Sequence, residues 1–374
     1  MDLPAVIQPD VPYGEEGMKW RGLGVVVLPR ISIVMPICNE ATWIERSLAA
    51  VLSQDYPRQL MEVLIADSQS DDGTVECIRR VIALNPQHRI RLLDCSVQTP
   101  GAALNLMIRQ ATGDIVVRVD GHTEIAPDYV RWCVVALQTT DALNVGGYIS
   151  ASGDGLIGRA IAMAIGSFWG NGGARFRSHP VARPAYVDTV PFGAWRRDTL
   201  ARLGPFEEQW RVNEDCEFNS RTRDAGGKIL LHPAIRATYF PRRSLRSLAK
   251  QYFRYGNLKC RVIARHPRRL SARQLAPPLF VLMLVALFLA GVLGEARTSL
   301  LLIAPLGYLF AIGIASVRMA FRSKQPRYAL VLPAVFAVLH LSYGIGALLG
   351  AMQLLIMSLS SIFRRGATLR VTGF

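Results

Sequence analysis

The chain has 374 residues, a formal net charge of +15 and a mean hydropathy of +0.23, which is high for a wholly soluble protein. That length holds one large domain and something more, and the apolar excess is concentrated near the C-terminus. The charge is equally local: from Ala225 to Gly294 there are 13 Lys and Arg and no Asp or Glu. A basic collar ahead of apolar segments favours an anionic membrane surface as partner and argues against nucleic acid.

Residues 1–29 are rich in Pro and Gly and lack the basic-then-apolar pattern of a secretory signal, so they are expected to be a leader. The six cysteines (Cys38, Cys77, Cys95, Cys133, Cys216 and Cys260) contain no CxxC pair. That spacing provides neither a disulfide framework nor a zinc site, and it fits a reducing compartment.

Ile31 to Pro36 is a short apolar run stopped by proline, the pattern of a buried parallel strand. Thr42-Trp43-Ile44-Glu45 has the capping-box spacing and predicts a helix with Ile44, Leu48, Val51 and Leu52 on one face. A second strand is predicted over Met61 to Asp67, then a polar turn and a helix from Val75 to Ala83. A third strand (Ile90 to Asp94) and a third helix (Ala102 to Ala111) follow. This strict alternation predicts an α/β domain with a parallel sheet, and in open sheets of that kind ligands bind beyond the carboxyl ends of the strands. Pro36 to Asn39, Asp67 and Asp120 all fall at such ends.

Gly113 to His122 is the stretch around which the rest is organised. Its β-branched run delivers Asp120 and His122 to the end of a strand, and residues i and i+2 share a face. A carboxylate and an imidazole so placed could hold a divalent cation against phosphate oxygens. A plain surface turn after a buried strand fits the same ten residues.

Further on, Asn213-Glu214-Asp215-Cys216-Glu217 crowds three carboxylates into four residues. These are either the acidic first turn of a helix, where the dipole favours them, or a source of a general base. Pro191 to Arg197 precedes them, and Trp195 in it is either a stacking surface or a core side chain. Leu245, Leu248, Tyr252, Tyr255 and Leu258 recur at helical spacing among Arg246, Lys250, Arg254, Lys259 and Arg261. That pattern suits an interfacial amphipathic helix, or a basic helix packed on the domain.

As a set, several pieces resemble family 2 inverting glycosyltransferases of the GT-A fold, over roughly Ile31 to Arg261. They are Ile33-Val34-Met35-Pro36-Ile37-Cys38-Asn39-Glu40, Ala66 to Thr74, Ala102-Ala103-Leu104-Asn105 and Asp120-Gly121-His122, the last in place of the family's Asp-x-Asp element. The resemblance implies a Rossmann-like, mostly parallel GT-A domain that binds a nucleoside-diphosphate sugar through Pro36, Asn39, Glu40, Asp67, Asn105 and Asp120. Asp67 would bond the base, and Asp120 and His122 would ligate the cation on the diphosphate. An imidazole shifts the metal preference from Mg²⁺ towards Mn²⁺. Glu214-Asp215 matches the family's acceptor motif, with Asp215 as base and Glu214 in support. Gln251, Arg254 and Tyr255 are similar to a Gln-x-x-Arg-Trp element and would, with Trp195, serve the acceptor and diphosphate. The His-containing version looks like the bacterial exopolysaccharide enzymes of the succinoglycan glucosyltransferase type.

Three apolar stretches end the chain: Pro277 to Gly294, Ser299 to Val317 and Tyr328 to Ser361. Each approaches or exceeds the roughly 20 residues that span a bilayer. The third is too long for one upright span, and Gly344, Gly346 and Gly350 are expected to mark a break in it. The collar and the segment Arg318 to Arg327 should be cytoplasmic, joined by a short outer loop at Glu295-Ala296-Arg297. His340 is read either as an intramembrane functional site or as a hydrogen-bonded helix contact.

The expected organisation is a leader (1–29), a GT-A domain (30–235), basic interfacial helices (236–276), a transmembrane region (277–362) and a tail (363–374). The implied enzyme sits in the bacterial inner membrane with its catalytic domain in the cytoplasm. It would move a hexose, first of all from UDP-glucose, to a polyprenyl-diphosphate-linked saccharide, with Mn²⁺ or Mg²⁺. The rivals are a processive polysaccharide synthase, disfavoured by few spans and by Tyr255 in place of Trp, and a non-catalytic sugar-nucleotide-binding assembly subunit.

Overall fold

The computed structural model describes residues 18–20, 23–26, 28–178, 182–294 and 298–371. Most of the expected leader, the expected loop at Glu295-Ala296-Arg297 and the last three residues of the tail lie outside them. The chain divides into one unit of residues 1–151 and 175–240 and a second of residues 152–174 and 241–374.

The strands of the first unit are β1 (Met18–Trp20), β2 (Leu23–Val26), β3 (Ile31–Ile37), β4 (Met61–Asp67), β5 (Ile90–Asp94), β6 (Ile115–Arg118), β7 (Thr123–Ile125), β8 (Ala142–Ala151), β9 (Ala185–Tyr186), β10 (Ala194–Arg196) and β11 (Lys228–Tyr239). Along the whole chain the helices run α1 (Ile44–Leu52), α2 (Thr74–Leu84), α3 (Pro100–Gln110), α4 (Tyr129–Thr139), α5 (Gly155–Gly166), α6 (Phe168–Asn171), α7 (Arg175–Ser178), α8 (Arg197–Leu203), α9 (Glu214–Asp224), α10 (Leu245–Arg265), α11 (Ala272–Val292), α12 (Thr298–Arg322) and α13 (Tyr328–Val371). β11 runs on to Tyr239, past the boundary expected at residue 235.

Apart from the β1–β2 ribbon, the strands form one sheet in the order β5-β4-β3-β6-β10-β8-β11-β7, with β9 on β11. β3 pairs in parallel with β4 and β6, β4 with β5, and β8 with β11. β10 and β7 run antiparallel to their neighbours. The first strands read as unbroken apolar runs because both faces are covered. Ile33, Met35, Ile65 and Val117 pack with Ile44 and Leu48 of α1 and with α4. Val34, Leu64 and Val116 pack on the other face with α3, Leu200 and Phe218. The expected capping box at Thr42–Glu45 does not form: α1 starts at Ile44 with Trp43 as an N-cap that makes no side-chain bond. Glu40 O takes the first helical amides instead, at 2.9 Å from Trp43 N and Ile44 N.

The second unit is helical. Three of its helices are long and apolar enough to cross a membrane: Ala272–Val292, Leu302–Arg322 and Tyr328–Ser358. α13 continues without the break expected at its glycines. These glycines admit α10 and α11: a Cβ on Gly346 would come 2.1 Å from Phe253 O, on Gly350 2.3 Å from Asn257 O, and on Gly344 2.6 Å from Pro277 O. The apolar stripe of α10 accordingly faces protein. Leu248 is buried with Leu332, Val335 and Phe336 of α13 and with Ile161 of α5, while Leu245 and Tyr252 pack alongside. The α5–α6 excursion leaves the chain of the sheet between β8 and β9 to join these helices, which no local pattern announced. His340 is the hydrogen-bonded helix contact: its Nδ1 meets Tyr308 Oη at 2.9 Å and its Nε2 meets Trp169 O at 2.8 Å.

Candidate active site

Strand periodicity builds the centre of the site. Val117 points to the α1–α4 face, so Arg118 shares the opposite face with Val116, on the side where Phe218 of α9 packs. Arg118 is 5% exposed, and its guanidinium joins two acids from distant parts of the chain. Nε donates to Asp120 Oδ1 at 2.8 Å, Nη2 to Asp120 Oδ2 at 3.3 Å, and Nη2 also to Glu214 Oε1 at 2.8 Å. Asp215 lies next along the first turn of α9, where its Oδ1 accepts from Cys216 N at 2.7 Å. The turn is entered through Asn213 in the left-handed region, φ 67°. Burial works against the charge on Arg118, but Asp120 and Glu214 outweigh it and raise its pKa above the usual range. Burial pushes Glu214 up to about 6 against the pull of Arg118.

A buried carboxylate elsewhere shows the contrast. Glu62 accepts from Ser32 Oγ, Thr112 N and Thr112 Oγ1, and these bonds hold it below its ordinary pKa although burial pushes the other way. Glu62 is a satisfied structural acid, whereas Glu214 stays poised.

Two loops laced together form the neighbouring wall. Both oxygens of Asp67 accept from Ser70, its N at 3.0 Å and its Oγ at 2.5 Å. Ser70 Oγ in turn accepts from Asn39 N at 2.8 Å, and Asn39 Oδ1 accepts from Asp71 N at 2.9 Å. Asn39 and Gln69 both adopt positive φ, 59° and 60°, a backbone cost that loops at binding sites tend to carry. Asp67 also lines a cavity of about 550 Å³ with Val75, Arg79, Leu92 and Asp94. Pro36 faces the side where β6 has stopped pairing, the last pair being Val34–Arg118, so its missing N–H costs no ladder bond.

Glu40 connects this wall to the centre, with Oε1 2.7 Å from His122 Nδ1. His122 stands edge-on to Tyr239, ring centroids 5.0 Å apart, and Arg177 lies over that ring at 4.8 Å. Gly121 serves packing: a Cβ there would come 2.6 Å from Ile37 Cδ1 and 3.0 Å from Glu40 Cγ. Among the described residues no three His, Cys, Asp or Glu side chains converge to hold a metal by themselves. A carboxylate and an imidazole, two residues apart at Asp120 and His122, are ligand types that suit a cation completed by phosphate oxygens and water.

Two residues expected at the site are committed elsewhere. Asn105 is a buried clamp: Nδ2 donates to Phe206 O and Glu208 Oε1, at 2.9 and 2.8 Å, and Oδ1 accepts from Phe206 N at 2.8 Å. Trp195 is 3% exposed and wedged between Phe206 and Phe218, so it presents no face to a sugar. Gln251, Arg254 and Tyr255 belong to the second unit, where Gln251 Nε2 donates to Tyr255 Oη at 2.9 Å. Arg118 and Arg177 were not singled out by the sequence reading. The first carried a signal, because a charged residue inside a buried strand needs a partner; the second carried none.

The profile of glycosyl transferase family 2 matches residues 32–204. The succinoglycan biosynthesis protein ExoA of Rhizobium meliloti is 29% identical over 317 residues, covering 84% of this chain and 92% of that protein. An N-acetylglucosaminyltransferase of Bradyrhizobium elkanii is 30% identical over 128 residues, 34% of this chain and 70% of that one. In fold, the chain is similar to a mannosyltransferase of Pyrobaculum calidifontis solved with GDP-Man and Mn²⁺, with a TM-score of 0.55 at 20% identity over 91% of this chain and 90% of that one. The sheet, its laced carboxyl-end loops and these likenesses agree: the chain is a glycosyltransferase with a GT-A catalytic fold and belongs to glycosyltransferase family 2.

Proposed function

We propose that the enzyme is an inverting hexosyltransferase that carries a sugar from a nucleoside-diphosphate donor to a lipid-linked saccharide at the cytoplasmic face of a bacterial inner membrane. The observation that carries this reading is the Arg118 bridge, which gathers Asp120 and the Glu214-Asp215 turn into one place.

Asp67 receives the base, and Asp120 and His122 would hold a divalent cation, Mn²⁺ or Mg²⁺, which would supply positive charge against the departing diphosphate. Glu40 at Nδ1 holds the imidazole ring in place, as carboxylates do for metal-bound histidines. Asp215 accepts the proton of the attacking acceptor hydroxyl, and Glu214 on Arg118 fixes the turn that carries it. A single displacement inverts the anomeric centre. The three apolar helices and the basic α10 support a lipid-linked acceptor such as a polyprenyl-diphosphate saccharide. UDP-glucose is the first donor to try, with a nucleoside-diphosphate N-acetylglucosamine beside it because one relative is named an N-acetylglucosaminyltransferase. For Gln251, Arg254 and Tyr255 a part in acceptor and diphosphate binding rests on sequence resemblance.

The test is a screen of donor hydrolysis by the full-length protein in detergent, across UDP-, GDP- and TDP-sugars with Mn²⁺ and with Mg²⁺. One donor class should turn over slowly. Asp215→Asn should lower that turnover by about 10²- to 10⁴-fold while donor binding persists. Undiminished turnover in Asp215→Asn would remove the base assignment, and a non-catalytic subunit would show no turnover to lose.

A further inference from the structure

Resting on the reading just proposed, we infer that Arg118 is a positioning residue. It makes the donor-side carboxylate of Asp120 and the acceptor-side carboxylate of Glu214 a single mechanical unit, so that fixing one fixes the other.

Three observations carry this. The first is geometry: one planar fork holds Asp120 through Nε and Nη2, and the same Nη2 holds Glu214 at 2.8 Å. A guanidinium keeps such donors in fixed relative directions, which a flexible ammonium does not. Glu214 cannot shift without the first turn of α9, and that turn carries Asp215.

The second is energetic. A buried cation set between a buried and a partly exposed anion is a weak source of stability, because desolvation offsets the attraction and well-packed apolar side chains often do as well. Glu62 shows how this fold keeps a carboxylate that has only structure to serve: hydroxyl and backbone donors satisfy it beside an exposed Arg89 at 3.9 Å, without a bridge to a second acid inside the core.

The third is the remaining nitrogen. Arg118 Nη1 is buried and has no hydrogen-bond partner among the described residues. A guanidinium placed only to hold the fold would be expected to saturate its donors. Its placement follows instead from the two acids it must reach.

The test is a double-mutant cycle on the full-length protein in detergent, reading calorimetric binding of Mn²⁺ with UDP and, separately, with GDP. Glu214→Ala removes an acceptor-side group whose hydrogen-bonded link to Asp120 runs through Arg118. It should nevertheless weaken binding about fivefold, because Arg118 then loses one of its two anchors. In an Arg118→Met background the same Glu214→Ala change should have less than about a twofold effect. Arg118→Met leaves the buried Glu214 and the partly exposed Asp120 without their cation, so Arg118→Lys is made alongside it. The lysine keeps the charge without the fork and should also abolish the coupling while retaining the wild-type thermal midpoint more closely. Additive effects in both backgrounds, with wild-type binding intact, would overturn the bridge alone. Failure of the wild type to bind either nucleotide would overturn the donor reading and this inference with it.

Discussion

The two units of the chain fill their interiors for different ends. The first carries buried charge where its strands stop: Arg118, Glu214 and Asp67 are all nearly inaccessible, Arg118 and Glu214 paired with each other from distant segments and Asp67 held by Ser70 of its own loop. The second removes side chains instead. Gly256, Gly346 and Gly350 let α10 and α13 approach backbone to backbone, while Phe288, Phe310 and Phe321 stand exposed on the candidate spans. Directional contacts of the first kind fix atoms for chemistry. Close packing of small residues fixes helices where apolar surroundings supply no force between them.

Four perturbations act on the two units differently. The harshest is truncation after Arg273. Cut there, the chain would keep α5 but lose Tyr328, Leu332, Val335, Phe336 and Leu339, which cover it. The fragment should therefore aggregate or bind detergent micelles, as seen by size exclusion. A monodisperse soluble fragment with donor hydrolysis would show that the first unit needs nothing from the second.

Asp120→Ala comes next. Loss of a proposed cation ligand should weaken Mn²⁺-dependent nucleotide binding by about 100-fold or more in calorimetry, with little change in the helical unit. Unchanged binding would remove Asp120 from the donor site.

Gly350→Leu addresses the other unit. Its Cβ would fall 2.3 Å from Asn257 O, so the helices must part, at about 1–3 kcal/mol. A lowered thermal midpoint with unaltered nucleotide binding is expected. Loss of both together would mean that the units do not act separately.

The mildest effect is a pH dependence. Glu214 is raised in the folded state from 4.5 to about 6, so between those values the native chain binds more protons than the unfolded one. Its contribution to stability is complete below about pH 4.5 and is lost as pH rises through about 6, a change of order 2 kcal/mol. Glu214→Gln should flatten that portion of a stability–pH curve followed by circular dichroism.

Much of the first unit was legible because its signals are local. A strand that ends in Asp67, another that ends near Asp120, and an acidic turn at Glu214-Asp215 announce themselves within ten residues, and alternation fixes the sheet class. The three long helices were legible by length and hydropathy alone. Family membership followed from such motifs taken together.

What covers a given face is a different matter. Trp195 and Asn105 have the chemistry to meet a ligand, yet distant aromatic rings enclose the one and the 206–208 segment engages the other. The glycines of α13 read as a break and turned out to be a seam, and the α5–α6 excursion left no trace in local pattern. The family, the sheet class, the strand-end acids and the apolar helices are written locally, because period and turn chemistry act over a few residues. That Arg118 meets Glu214, 96 positions away, as well as the nearby Asp120 follows from how the chain packs. Desolvation and ion pairing depend on which segments meet, and no stretch of the chain carries that on its own.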